Sequence, residues 1–138
     1  MLTLLVLAST LLVQSSGLSD FAGIWMAELK GQPLARLELT LTNGQLQGQL
    51  GLSGLHTDAN GDPDATIPEA GYTLPVFDVL LRDGILSFAV KDGDDTDRFE
   101  LRLTEGRAML TLFVDSAFRA ELAREGIAPP RPIALTRR

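Results

Sequence analysis

Apolar and polar residues alternate with a period of two along most of this chain, the signature of half-buried β-strands. The clearest run is Leu34–Leu41, where Ala35, Leu37, Leu39 and Leu41 alternate with Arg36, Glu38 and Thr40. Before it, Gly23–Lys30 sets Trp25, Ala27 and Leu29 on one face. After it, Gln45–Leu52 turns Leu46, Leu50 and Leu52 inward and Gln45, Gln47 and Gln49 outward. Gly48 falls on the inner face, where a missing side chain relieves crowding or lets the sheet bend. Val76–Leu81, Ile85–Val90, Arg98–Leu103, Ala108–Val114 and Ile133–Arg137 bring the predicted strands to eight. Ala108–Val114 is apolar on both faces, so its outer side calls for a cover. The expected cover is the next segment: Asp115 or Ser116 caps a short helix that runs through Arg124 and ends at Gly126.

The connections are of two kinds, and the kinds alternate. Asn43-Gly44, Asp83-Gly84 and Glu105-Gly106 are tight X-Gly pairs, suited to turns whose central residues need positive φ. Between them lie longer breaks at 31–33, 53–75, 91–97 and 115–131. In an up-and-down sheet, alternate connections lie at opposite ends. The pattern therefore predicts one end closed by tight turns and one end carrying every long loop. A meander of eight strands curls and closes to remove its edges. The expected fold is all-β: an antiparallel up-and-down barrel of about eight strands, with one short helix in the 115–131 insertion.

Length and charge narrow the functional classes. The 138 residues suit a single domain with a modest core. A formal net charge of -6 argues against nucleic acid, whose phosphates need clustered Lys and Arg, and against anionic membrane surfaces. The chain has no cysteine, hence no disulfide, thiolate metal site or thiol nucleophile. Leu2–Val13 is almost wholly apolar and too short to span a bilayer, and small residues follow it. It reads as the core of an export signal covering 1–17, although no Lys or Arg precedes it. The domain would then be 18–138, periplasmic or secreted.

Three stretches carry a family resemblance. Phe21-Ala22-Gly23-Ile24-Trp25 opens the first strand with a Gly-x-Trp. Val79–Val90 forms a strand–turn–strand around Arg82-Asp83-Gly84. Pro132-Ile133-Ala134-Leu135-Thr136-Arg137 ends the chain on a Leu-x-Arg strand. Together they resemble the small bacterial Gly-x-Trp β-barrel domain found in front of secreted serine hydrolases and β-lactamase-like proteins. The same residues look like the lipocalin pattern, in which a Trp on the first strand packs beneath an Arg from the last. The resemblance implies a lipocalin-like barrel in which Trp25 meets Arg137 as a structural plug.

Candidate chemistry is sparse. Asp58, Asn60, Asp62 and Asp64 place an oxygen ligand at every second residue, with Glu69 eleven residues after Asp58. That spacing resembles a calcium loop, but Pro63 stands where the sharp turn wants glycine, and no helices flank it. A solvated turn is the competing reading. Asp92, Asp94, Asp95 and Asp97 add acid at the same predicted end. His56 is the only histidine. With Ser53 and Asp58 it shares one loop, which cannot preorganise a triad. No Gly-x-Ser-x-Gly elbow is present. The sequence reads as non-catalytic, with no cofactor required. The residues expected at the mouth are Leu29, Leu52, Tyr72, Phe77, Phe99 and Phe118. They would meet either a small apolar molecule or a secreted protein partner, the latter as an accessory to a hydrolase or an inhibitor of one.

Overall fold

A computed structural model describes residues 17–138; for 54–57 and 64–70 it describes the backbone alone. The expected export signal lies outside the described residues, except for Gly17. The chain is all-β. A four-residue helix α1 (Leu18–Phe21) leads into β1 (Gly23–Leu29), β2 (Gln32–Thr42), β3 (Gln45–Thr57), β4 (Pro63–Pro75) and β5 (Phe77–Arg82). Then follow β6 (Ile85–Asp92), β7 (Asp95–Thr104), β8 (Arg107–Leu112), helix α2 (Ser116–Arg124) and β9 (Ile133–Arg137). All nine strands form one antiparallel sheet in the order β4-β3-β2-β1-β9-β8-β7-β6-β5.

Two expectations need correcting. There are nine strands among the described residues, not eight, and the sheet keeps two edges, β4 and β5, so it is not closed into a barrel. The stretch 53–75, read as irregular, is mostly strand. β3 runs on to Thr57, and β4 pairs back along it from Thr57↔Pro63 to Gln49↔Pro75, with register shifts on the way. The two corrections have one origin. Eight antiparallel steps separate β4 from β5 around the sheet, so the two run in the same direction. They are successive pieces of one path that changes neighbour at Val76. Before Val76 the path pairs with β3; after it, the path pairs with β6, beginning at Phe77↔Ala89. Val76 N–H donates to the Gly48 carbonyl at 3.0 Å and fixes the crossing point.

Antiparallel alternation then places the turns. Those at 43–44, 83–84 and 105–106 share one end, with positive φ at both central residues of each. The connections at 30–31, 58–62, 93–94 and 113–132 share the other. That end is plainer than expected, because Lys30-Gly31 and Gly93-Asp94 are themselves tight turns. Only 58–62 and 113–132 elaborate it. These two meet: Ala128 N–H donates to Ala59 O at 3.1 Å, Arg131 N–H to Gly61 O at 2.9 Å, and Arg131 approaches Asp62 at 3.6 Å.

One face of the sheet is buried without a second layer to cover it, so the sheet must fold back on itself. Leu37, Leu50, Leu86, Leu101 and Leu135, from five strands, are fully buried in one cluster with Phe88 and Phe99. The two rings stack at 5.6 Å. Burial of each such side chain contributes about 1.5–3 kcal/mol. Gly48 lies on this inner face as expected, and a Cβ there would fall 1.7 Å from the Glu38 carbonyl oxygen. Its missing side chain is what lets β2 and β3 approach.

Helix α2 matches its predicted bounds. The Asp115 side chain accepts from Phe118 N–H at 2.7 Å, and Gly126 stands at φ 71° just past the end. It does not provide the expected cover for β8, because none of its residues is buried.

Candidate functional site

The closed end is fixed by side chains from both chain ends. Trp25 is 2 % exposed, and its indole N–H donates to Phe21 O at 2.9 Å. Arg137 pairs with Trp25 across the β1–β9 ladder, lays its guanidinium 4.5 Å from the ring centroid, and donates to Asp20 O. α1 brings fully buried Phe21 beneath them. The cation–π contact and the two hydrogen bonds hold together three pieces of chain that no turn connects. The indole N–H is satisfied and the ring is buried, so the plug offers no apolar vacancy to a ligand.

The seam is the opposite. Below the Val76 crossing, β5 follows β6 and leaves Gln45–Gln47 of β3 without a partner on that side. Strand residues alternate the direction of their backbone groups. Gly48 O points at the seam, so Leu46 N–H and C=O point there too. Leu81, next to the turn-closing pair Arg82↔Ile85, likewise faces away from β6. Two unpaired edges thus face each other across a cleft of about 620 Å³. Leu18, Leu46, Val76, Phe77, Val79 and Leu80 supply most of its lining. Phe77 is 38 % and Leu80 51 % exposed, a placement that costs apolar solvation unless something covers them.

At the other end of the seam the edges approach. β4 lies against β6 there, and Tyr72 of β4 comes under the influence of the acidic β6–β7 hairpin. Burial, then Asp97, then Asp92 push the Tyr72 phenol up to about 12. Burial, then Asp92 and Asp95, raise the Asp97 carboxyl above its ordinary value. For Tyr72 and Asp97 burial disfavours the charged form first, and neighbours of the same sign add to it.

The six predicted mouth residues are not brought together. Leu52 and Tyr72 are cross-strand partners beside a groove of about 380 Å³. That groove is polar in character: Arg36 and Thr73 also line it, and the Ser53 hydroxyl donates across to Pro33 O. Phe99 is core. Leu29 is half-buried at the end of β1, and Phe118 stands 47 % exposed on α2. Phe77 alone lines the seam cleft. Of the calcium candidates, Asp58 organises its own turn, its Oδ1 accepting from Asn60 N–H at 2.9 Å and Asp62 N–H at 3.0 Å. Asp62 faces Arg131, and the Asp64 side chain lies outside the described residues. Among the described residues no three His, Cys, Asp or Glu side chains converge on a metal position.

The seam residues Leu46, Val79 and Leu80 were missed because each reads as an ordinary strand position. The one available signal was Pro75-Val76-Phe77-Asp78, where a single residue, Val76, separates two runs that both need partners. Among the described residues no helix is long and apolar enough to cross a membrane. Comparison with protein-family models, curated proteins and solved structures finds no match.

Proposed function

We propose that this is an exported, non-catalytic, lipocalin-like β domain that binds a small apolar molecule, and that the molecule sits in the seam between β3 and β5 rather than at the loop-bearing end. The observation that carries the reading is the seam cleft. Its volume of about 620 Å³ falls within the range of small-molecule sites, its lining mixes apolar side chains with polar groups, and Phe77 and Leu80 of that lining are held out to solvent. The interior offers less, since leucines and two stacked phenylalanines fill it. The Trp25–Arg137 stack supports the lipocalin-like part of the reading, and the apolar Leu2–Val13 followed by small residues supports export.

The test is titration with N-phenyl-1-naphthylamine, a neutral apolar dye. Phe77→Ser with Leu80→Ser should weaken dye binding about tenfold or more, as expected for losing two apolar contacts. Phe118→Ser should leave it unchanged. Loss of binding in Phe118→Ser with none in the seam variant would return the site to the loop-bearing end.

A second reading is a protein-interaction module, an accessory to a secreted hydrolase or its inhibitor. It is favoured by α2, a capped helix with no buried residue that holds Phe118 in solvent. A folded protein that binds no dye, yet loses a co-purifying partner on Phe118→Ser, would favour it.

A further inference from the structure

The chemistry of the cleft says more than its volume. We infer that the seam selects apolar molecules bearing a cationic head group, such as long-chain amines, over fatty-acid anions. The inference rests on the seam being the ligand site. Among the described lining residues, Asp78 is the one that carries a charge. It sits on a bulge, where β5 slips register against β6 between Phe77 and Leu80, and its φ is 51°. Asp is among the few residues that visit this left-handed region readily. The bulge sets a carboxylate at the rim of a cleft that holds no other charged side chain among the described lining residues.

That carboxylate is weakly engaged. Arg98 approaches it at 3.8 Å, beyond hydrogen-bond length, with the two side chains 57 % and 63 % exposed. An ion pair of this kind contributes little in water and leaves the carboxylate open to a second cation. An ammonium head beside Asp78 would gain a charge contact while its chain lay against Leu46, Val76 and Phe77. A fatty-acid carboxylate in the same place would meet a like charge, offset only in part by the more distant, water-screened Arg98 guanidinium. The net charge of -6 acts in the same sense, drawing cations and repelling anions. The remaining polar groups of the cleft, Gln45 and the free backbone edges, carry no charge and offer donors and acceptors alike.

Displacement of bound N-phenyl-1-naphthylamine by three twelve-carbon chains tests this, the two ionic chains kept below their micelle-forming concentrations and the alcohol below its solubility limit. One exposed charge contact shifts affinity about threefold, so dodecyltrimethylammonium should displace the dye at about tenfold lower concentration than dodecanoate, with dodecanol between. Asp78→Asn tolerates the same φ and should bring the cation and anion together, leaving dodecanol unchanged. Equal displacement by all three chains overturns the inference. So does an unaltered order in Asp78→Asn, which would assign the preference to net charge alone. If the dye fails to bind, or binds Phe77→Ser/Leu80→Ser as well as the native chain, the seam reading itself falls and this inference falls with it.

Discussion

Two regions where non-consecutive parts of this chain meet, the closed end and the seam, are solved in opposite ways. At the closed end, β1 meets β9, and a ring, a guanidinium and two backbone carbonyls complete the join. At the seam, β3 meets β5 with no backbone hydrogen bond between them below Val76. The difference lies in what each junction lacks. β1 and β9 have paired backbones and need only a plug to exclude water. β3 and β5 have apolar side chains but no partner for their backbone edges. A junction with satisfied polar groups is structural; one with free edges and exposed apolar side chains is available for binding.

Removing the plug should have the largest effect. Trp25→Ala should cost about 3–5 kcal/mol in denaturant unfolding, as for a large core aromatic, whereas Arg137→Ala should cost about 1 kcal/mol. Circular dichroism follows both variants, and the emission of Trp25, the only tryptophan, reports the plug in Arg137→Ala. Equal costs for the two would mean that the guanidinium, not the ring, holds the join. Next comes the close approach of β2 and β3. Gly48→Val should cost about 1–3 kcal/mol or more, because the first atom added meets a backbone carbonyl that cannot rotate away. A neutral outcome would show that β3 is free to move into the seam.

A smaller effect distinguishes the two ends of the seam. Tyr72 is the only tyrosine, so phenolate absorbance titrates it alone. The midpoint should lie near 12 in the folded protein and near 10 in denaturant. A phenol whose pKa rises on folding holds its proton more tightly in the folded state. Its contribution to stability is therefore complete below about pH 10 and lost as pH climbs through about 12. Asp97→Asn should lower the folded midpoint. A folded midpoint of 10 would mean that Tyr72 is neither buried nor close to the β6–β7 hairpin. Least of all, Phe77→Ser and Leu80→Ser should change stability by only about 0.5 kcal/mol, since both side chains are already exposed. A large loss would make them core rather than site.

Much of the closed end could be read from the sequence. Gly-x-Trp at one terminus and Leu-x-Arg at the other predicted a stack, and alternating turn types predicted which end would hold it. The X-Gly pairs fixed the three hairpins there because positive φ is a local demand. The seam was not legible, because strand pairing is decided by neighbours and not by local preference. Gly71 shows why. Within 53–75, a stretch rich in Gly and Pro, it read as a break, but it lies inside β4, where a Cβ would come within 2.3 Å of the Leu52 carbonyl oxygen. It is a glycine of close approach, and its sequence signal is the same as that of a turn. The same confusion hid the change of neighbour at Val76, and with it the cleft.

Binding at the seam requires that the edges of β3 and β5 be unpaired. Amide hydrogen exchange followed residue by residue measures this directly. The Leu46 and Leu81 amides should exchange rapidly in the free protein, while those of Leu50 and Leu101, inside the ladder, should be strongly protected. Saturation with an apolar ligand should slow Leu46 and Leu81 selectively. Protection of Leu46 and Leu81 in the free protein, equal to that of the ladder amides, would mean that the ring closes on itself, and the seam would not be a site.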